Sequence, residues 1–480
     1  MRHTIHFAAL LLSLWCLRAQ NPPQGAANLL ASRIQAGLAR VRWDTAYQNG
    51  HEPSGAACQP VTVHKDLRGG LYDYAEHCSA SLAGVVVEFF YYPTDGERPA
   101  IVLRRTDFRL TDPDPALNAS VEQLLKDGLT RRYGVGAVPD GLFEIGVQKP
   151  NPGLSWRVGG VTIFLHRNRD YVKPGGIRTG VQLIAVRREV LELRAEEQNV
   201  AAALGSSTAL SRPVLTADLK KDLGDLYLPP RAAQPATEAE RSRAERVTRV
   251  ALLRLLAHTC EGDRNHRAAV LFAADDLTVR LGSLLISRSI QNGAEILVEA
   301  PNGANVRRQL AHYGIAFTGP GHYSGDLEYD RRLLERAWKE FPDTSWGQHA
   351  FLMTQRLSCT GEARFGCPGP NCFREVARQG EEFLRDYPET SLRKEQMYHL
   401  ALAYETWWSL SKAAPDDPTA ADASVGKTDA EAARKRALGL YEELERIAPE
   451  SAEARAGRLR MTRLKLGLDT GERSFFCFSC

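Results

Sequence analysis

The sequence has no later apolar stretch longer than Phe7–Leu17, no basic block and no compact catalytic motif. A membrane-spanning helix needs about 20 mostly apolar residues, so a transmembrane segment is not expected. Nucleic-acid binding leaves a clustered basic footprint. Here 61 Lys and Arg offset 58 Asp and Glu for a net charge of +3, and no nucleic-acid partner is expected. There is no Walker loop, no G-x-S-x-G elbow and no H-E-x-x-H helix. P-loop hydrolysis, hydrolase-type acyl transfer and zincin proteolysis therefore lack their residues, and no catalytic residue or cofactor is assigned. Gly134-Val135-Gly136 follows a helical pattern and lacks the third glycine of a dinucleotide loop, so it reads as a turn.

Cysteine is sparse, at nine in 480 residues. Met1–Ala19 has the form of a secretory signal peptide: Arg2 supplies the positive start, Phe7–Leu17 the apolar run and Ala19 a small residue before the cut. Ser13-Leu14-Trp15 is a poor lipoprotein box before Cys16, so cleavage after Ala19 and a periplasmic or secreted product are expected. Cleavage would leave eight cysteines, an even count that reads as disulfides in an exported chain. Cys58 and Cys78 stand alone in the first half and are expected to pair. Cys260, Cys359, Cys367, Cys372, Cys477 and Cys480 are bridge candidates whose connectivity the sequence leaves open. Cys477-x-x-Cys480 has redox spacing, but no helical pattern follows to lower a thiol's pKa, so a structural bridge is expected. His258, Cys260 and His266 match no standard metal spacing, and no metal site is assigned.

The strongest pattern lies in the last third. Phe341-Pro342-Asp343-Thr344, Tyr387-Pro388-Glu389-Thr390 and Ala448-Pro449-Glu450-Ser451 each end an amphipathic stretch. Pro cannot continue the helix, and the following Ser or Thr caps the next one. Between these signals, Leu333, Leu334, Ala337, Trp338 and Phe341 form one helical stripe, and Val376, Gly380, Phe383, Leu384 and Tyr387 form another. Repetition of this kind marks stacked helix pairs.

Residues 398–404 and 436–449 resemble the tetratricopeptide repeat (TPR) family. Tyr398, Ala401 and Tyr404 match its first helix; Ala437, Tyr441 and Pro449 match its second. The lengthened connections Cys359–Cys372 and Lys412–Thr428 depart from the family's tight spacing. The resemblance implies a solenoid whose groove takes a peptide or another exported protein. Adjacent indoles on a helix point about 100° apart, so of Trp407 and Trp408 one can be core while the other faces a groove. Tyr398, Tyr404, Trp407 and Trp408 are the candidate binding residues.

The first half reads differently. Ala26–Trp43 is an amphipathic helix, and Ala116–Tyr133 another, with Asn118-Ala119-Ser120 a formal glycosylation sequon on a surface Asn. Gly84–Tyr92 and Ala100–Leu110 read as a hairpin across Pro93–Pro99, and Leu154–His166 and Val181–Glu192 as further strands. The domain expectation is an α+β domain over 26–197 and a linker over 198–236. A helical lead-in over 237–328, TPR-like helix pairs over 329–467 and a cap over 468–480 follow. Thr237 and Glu240 form a capping box, and a helix is expected over Ala268–Ile290. Arg455, Arg458, Arg460, Arg463 and Lys465 read as a solvated basic face on the last helix. The expected function is an exported, non-catalytic scaffold for protein–protein contacts, serving cell-envelope assembly or transport, with peripheral envelope association. An envelope enzyme or thiol-redox accessory is the alternative.

Overall fold

The computed structural model describes residues 22–47, 59–60, 75–82, 84–95, 98–110, 112, 114–138, 153–172, 176–208, 213–228, 237–291, 294–300, 302–320, 327–358, 370–411 and 427–468. Signal-like residues 1–19, the insertion 413–426 and the terminal cysteine pair lie outside them. The chain divides into two compact units. One comprises Met1–Gln198 with Lys465–Leu468, the other Asn199–Leu464 with Asp469–Cys480. An α+β region thus precedes a mostly helical one.

The first unit is built on a seven-stranded antiparallel sheet. Its strands are β1 (Gln59–Pro60), β2 (Glu76–Leu82), β3 (Val85–Thr94), β4 (Ala100–Leu110), β5 (Leu154–Val158), β6 (Val161–Val172) and β7 (Gly176–Arg187). Their order is β1-β2-β3-β4-β7-β6-β5. Alternation sorts the side chains: Val87, Phe89, Phe108, Leu183, Ile163 and Leu165 fill one face. That face packs under α1 (Pro22–Arg40) and α2 (Pro115–Tyr133), through Ala27, Ala31 and Ile34 and through Val121, Leu125 and Leu129. The other face carries Phe90, Tyr92, Phe164, Ile184 and Val186, which Val190 of α3 (Arg188–Thr208) joins.

Leu154–His166 contains two strands where the sequence suggested one. Gly159 has φ +54°, a left-handed turn open to glycine, and it reverses the chain between β5 and β6. Asp114 caps α2 by accepting from the backbone N–H of Ala116 at 2.9 Å. Asn118 is 4% exposed and its amide donates to the carbonyl of Asp112 at 2.9 Å. The sequon asparagine is therefore a buried loop fastener, not a surface acceptor. Polar residue type alone cannot show that its amide is used locally.

In the second unit, residues 198–236 are not a plain linker. They hold the end of α3, then α4 (Pro213–Leu223), whose Leu219 and Leu223 are buried. Pro213 starts a helix here, as its fixed φ and missing N–H allow. The capping box of Thr237 and Glu240 opens α5 (Glu238–Ala257). Next, α6 (Arg264–Leu284) is the hub of the core, burying Ala268, Val270, Leu271, Phe272, Ala274, Leu277 and Leu281. It stops at Leu284, short of the expected Ile290, because β8 (Ile286–Gln291) pairs with β9 (Ala294–Glu299) as a hairpin. The dipeptide Asn292-Gly293 between those strands is the sequence signal for it. A short helix α7 (Gly303–Ala311) and the pair β10 (Phe317–Pro320) and β11 (Leu327–Tyr329) complete this part.

Six helices follow: α8 (Arg332–Glu340), α9 (Ser345–Ser358), α10 (Pro370–Asp386), α11 (Arg393–Ser411), α12 (Lys427–Ile447) and α13 (Ala452–Lys465). The proline signals sit between them, and the caps are in place. Thr344 Oγ1 accepts from Gly347 N at 3.0 Å, Thr390 Oγ1 from Leu392 N at 3.2 Å and Ser451 Oγ from Ala454 N at 3.1 Å. Aromatic side chains bridge successive helices. Trp338 lies 4.4 Å from Phe351, which stacks on Phe383 at 4.5 Å. A second core joins α10, α11, α12 and α13 through Val376, Leu400, Ala437, Leu440, Tyr441, Leu444 and Met461. A Cβ on Gly457 would come within 2.7 Å of the Tyr441 ring, so only glycine lets α13 lie that close.

Candidate functional site

The candidate binding residues divide along α11. Trp408 is 3% exposed and belongs to the core of α10–α13. It is placed to pack, and a ligand on the surface would not reach its indole. Tyr398 is partly buried against that core, 6.1 Å from Tyr441. Tyr404 and Trp407 are partly exposed, one turn apart, and stack at 6.0 Å with 24° between planes. Sequence reasoning placed the two indoles on different faces, and the structure makes Trp407 the outer one.

Three side chains that sequence reading did not single out complete this face. Tyr404 donates its hydroxyl to Glu381 Oε1 at 3.2 Å. Arg436 grips the same carboxylate with two hydrogen bonds, Nε to Oε1 at 2.7 Å and Nη2 to Oε2 at 3.0 Å. Glu381 stands on α10, Tyr404 on α11 and Arg436 on α12, so one carboxylate ties three helices together. At the other end Arg374 of α10 lies over the Trp407 ring, 5.8 Å from its centroid. The result is a strip that runs cation, indole, phenol, carboxylate, cation. Arg374 and Glu381 are seven residues apart, two helical turns, and that spacing was a usable signal. Burial, then the Glu381 charge, pushes the Tyr404 hydroxyl up to about 12, so it stays a donor at neutral pH.

Behind the strip is a buried triad. Tyr441 donates to Glu405 Oε2 at 2.8 Å, and Arg460 bonds the other oxygen of that carboxylate. Glu405 is 1% exposed and Arg460 3%. Arg463 is also buried, at 7%. The solvated basic face expected for α13 is therefore corrected: two of its arginines point inward. Charge alone could not reveal this, because the partner glutamate lies 55 residues upstream.

The cysteines are placed as follows. Cys78 and Cys372 are each disulfide-bonded. Cys58, Cys359, Cys367, Cys477 and Cys480 lie outside the described residues, so the expected Cys58–Cys78 pairing is not settled there. Cys260 is a free, exposed thiol in the turn after α5, which corrects its candidacy for a bridge. The core around it spans Leu219 to Ala350, and that stretch contains no second cysteine.

The first unit holds a second polar cluster that the sequence reading missed. On one face of the sheet Arg105 grips Asp107, Nε to Oδ1 at 2.8 Å and Nη2 to Oδ2 at 2.6 Å. Gln182 donates Nε2 to Asp107 Oδ2 at 3.0 Å, and its Oε1 faces His166 Nε2 at 3.2 Å. With Oε1 as the acceptor, His166 must carry its proton on Nε2, leaving the Nδ1 lone pair. Burial lowers the His166 pKa, which favours the neutral ring. Burial opposes the Arg105 charge, but Asp107 outweighs it and pushes its pKa up. Alongside, Glu88 meets His77 at 3.2 Å and pairs with Arg109. Arg105 lies 4.4 Å from the Phe90 ring, on which His77 stacks at 4.3 Å. Among the described residues no Ser, Thr or Cys side chain bonds to His166.

Compared with protein-family models, curated proteins and solved structures, the chain matches none. No described helix is long and apolar enough to cross a membrane.

Proposed function

We propose that the chain is an exported, non-catalytic binding protein. In this reading the helix pairs α8–α13 form a TPR-like solenoid that takes a polypeptide segment on the Arg374–Trp407–Tyr404–Glu381–Arg436 strip. The first unit serves as a second recognition module or as a tether to envelope components. The observation that carries the reading is the strip itself. Partly exposed aromatic rings, flanked by charges of both signs, supply apolar area and hydrogen bonds at low entropic cost. Export rests on the leader-like residues 1–19.

The test is capture from the envelope fraction after mild cross-linking, comparing the native chain with Trp407→Ala and Arg374→Ala. A discrete protein partner lost in both variants, with helical circular dichroism unchanged, is the expected result. A partner retained at full yield by both variants would count against the strip.

A further inference from the structure

Asp275 is a carboxylate in the middle of α6, the helix at the centre of the second unit's core. It is 1% exposed, within the apolar run of α6. Such a group needs a reason, because burying a charge is costly unless it is paired and hydrogen-bonded. Its partners come from the junction of β11 and α8. Oδ1 accepts from the backbone N–H of Leu334 at 3.3 Å, and Oδ2 pairs with Arg331 Nη2 at 2.8 Å. Tyr329 hydrogen-bonds the same carboxylate, and its own oxygen accepts from Leu333 N at 2.8 Å.

These contacts do a job that α8 does not do for itself. Its N-cap residue Arg331 is left-handed, with φ 56°, and makes no side-chain cap. The first N–H groups of a helix have no intrahelical partner. Here two of them are satisfied from outside, Leu333 by Tyr329 and Leu334 by Asp275. The two carboxylate oxygens therefore have separate tasks: Oδ1 caps α8, and Oδ2 holds Arg331.

We propose that the Asp275 carboxyl is an acid-operated catch for Arg331: a proton on Oδ2 releases the arginine side chain while Oδ1 keeps α8 capped. A protonated Oδ2 is a donor facing a guanidinium that can only donate, so the pair cannot persist. The Leu334 contact needs only an acceptor, which Oδ1 remains. The Arg331 side chain is 27% exposed and has water to move into.

The surroundings place the transition. Burial pushes Asp275 up to about 6, against the opposing pull of Arg331 and the Leu334 N–H. On α6 Asp276 and Arg280 share the neighbourhood, and burial raises Asp276 as well. Around the junction, Asp330 is held by Arg332 at 2.9 Å, and the Tyr329 hydroxyl is pushed up by burial and by Asp275. Helix α5, which packs on α6, carries Glu245 and Arg249, paired with each other at 2.7 Å. Helix α9, also packed on α6, brings His349 beside Phe272, one turn before Asp275.

Carbon-13 NMR of the full chain, labelled at Asp Cγ and Arg Cζ, tests this between pH 4 and 8. The Asp275 and Arg331 signals are assigned by their loss in Asp275→Asn and Arg331→Gln. Both should move with one shared midpoint near pH 6. In Arg331→Gln the Asp275 midpoint should rise by about one unit, since an opposite charge is removed. Hydrogen exchange at Leu334 should stay protected through the transition. The proposal is overturned if Arg331 does not respond as Asp275 titrates, or if Asp275 titrates in the ordinary carboxylate range. Loss of Leu334 protection together with Arg331 would overturn it too. If Asp275→Asn does not fold, the shared midpoint and the Arg331→Gln shift still decide the question.

Discussion

The two units bury charge in different ways. In the sheet unit the partners are close in sequence or register. Arg105 and Asp107 are two apart on one strand, and Gln182 reaches Asp107 from the neighbouring strand β7. In the helical unit the buried carboxylates find partners far along the chain: Glu405 with Arg460, Asp275 with Arg331. In a sheet a one-residue slip would turn Asp107 away from Gln182, so the cross-strand contact specifies register. In the helices the pairs fix which helix lies beside which. Breaking Asp107 or Glu405 should therefore cost the sheet unit its strand alignment and the helical unit its stacking, whereas release of Arg331 leaves α8 capped by Asp275 Oδ1.

The largest effect should come from Arg105→Ala, which takes the guanidinium from the buried Asp107 carboxylate and leaves it the Gln182 amide. A loss of about 3–5 kcal/mol is expected in denaturant unfolding. Replacing both residues by apolar ones of similar size should cost less, and equal costs would show that the pair is not the source. The two indoles come next. Trp408→Ala should cost about 3–5 kcal/mol, as for a large core side chain. Trp407→Ala should fall within about 1 kcal/mol, as for partly exposed positions. Comparable losses would contradict the division of α11 into an inner and an outer tryptophan.

Asp275 sharpens the comparison through pH. Its pKa is raised on folding from 3.8 to about 6. A raised carboxyl binds its proton more tightly in the folded state, so this contribution is fully present below about pH 4. It is lost as pH rises through about 6, and amounts to roughly 3 kcal/mol across that window. Unfolding free energy measured from pH 4 to 7 should show the fall, and Asp275→Asn should flatten it. The smallest effect is Thr237→Ala, which removes one half of the capping box that opens α5. About 1 kcal/mol is expected, read as a shift in the unfolding midpoint without a change in slope.

Much of this was legible in local chemistry. The proline and Ser/Thr signals at Pro342, Pro388 and Pro449 mark real helix junctions, and Thr237–Glu240 is a real capping box. The hairpin of β3 and β4 follows from Val, Phe and Tyr around a polar turn. These signals act over a few residues, so a sequence shows them directly. The hairpin of β8 and β9 was missed because Leu281, Leu284 and Leu285 continue the α6 pattern to its edge, and the Asn292-Gly293 dipeptide was given no weight. Helix α4 was hidden by flanking prolines, which start helices as readily as they end them. Of the strip, Tyr404 and Trp407 were visible as aromatics on a helix, but the link between Glu381 and Arg436 was not. Their pairing spans 55 residues and exists only once three helices are packed. The sheet cluster was invisible for the same reason: Asp107 and Gln182 are 75 residues apart.

The most direct test of the account is site-specific photo-cross-linking in living cells. A photoreactive phenylalanine analogue would stand at Trp407, at Arg374 and, as a control, at exposed Lys339 of α8. The account predicts one discrete protein adduct shared by the first two positions and absent from the third. The same adducts from all three positions, or none from Trp407 and Arg374 while the chain is folded, would contradict it.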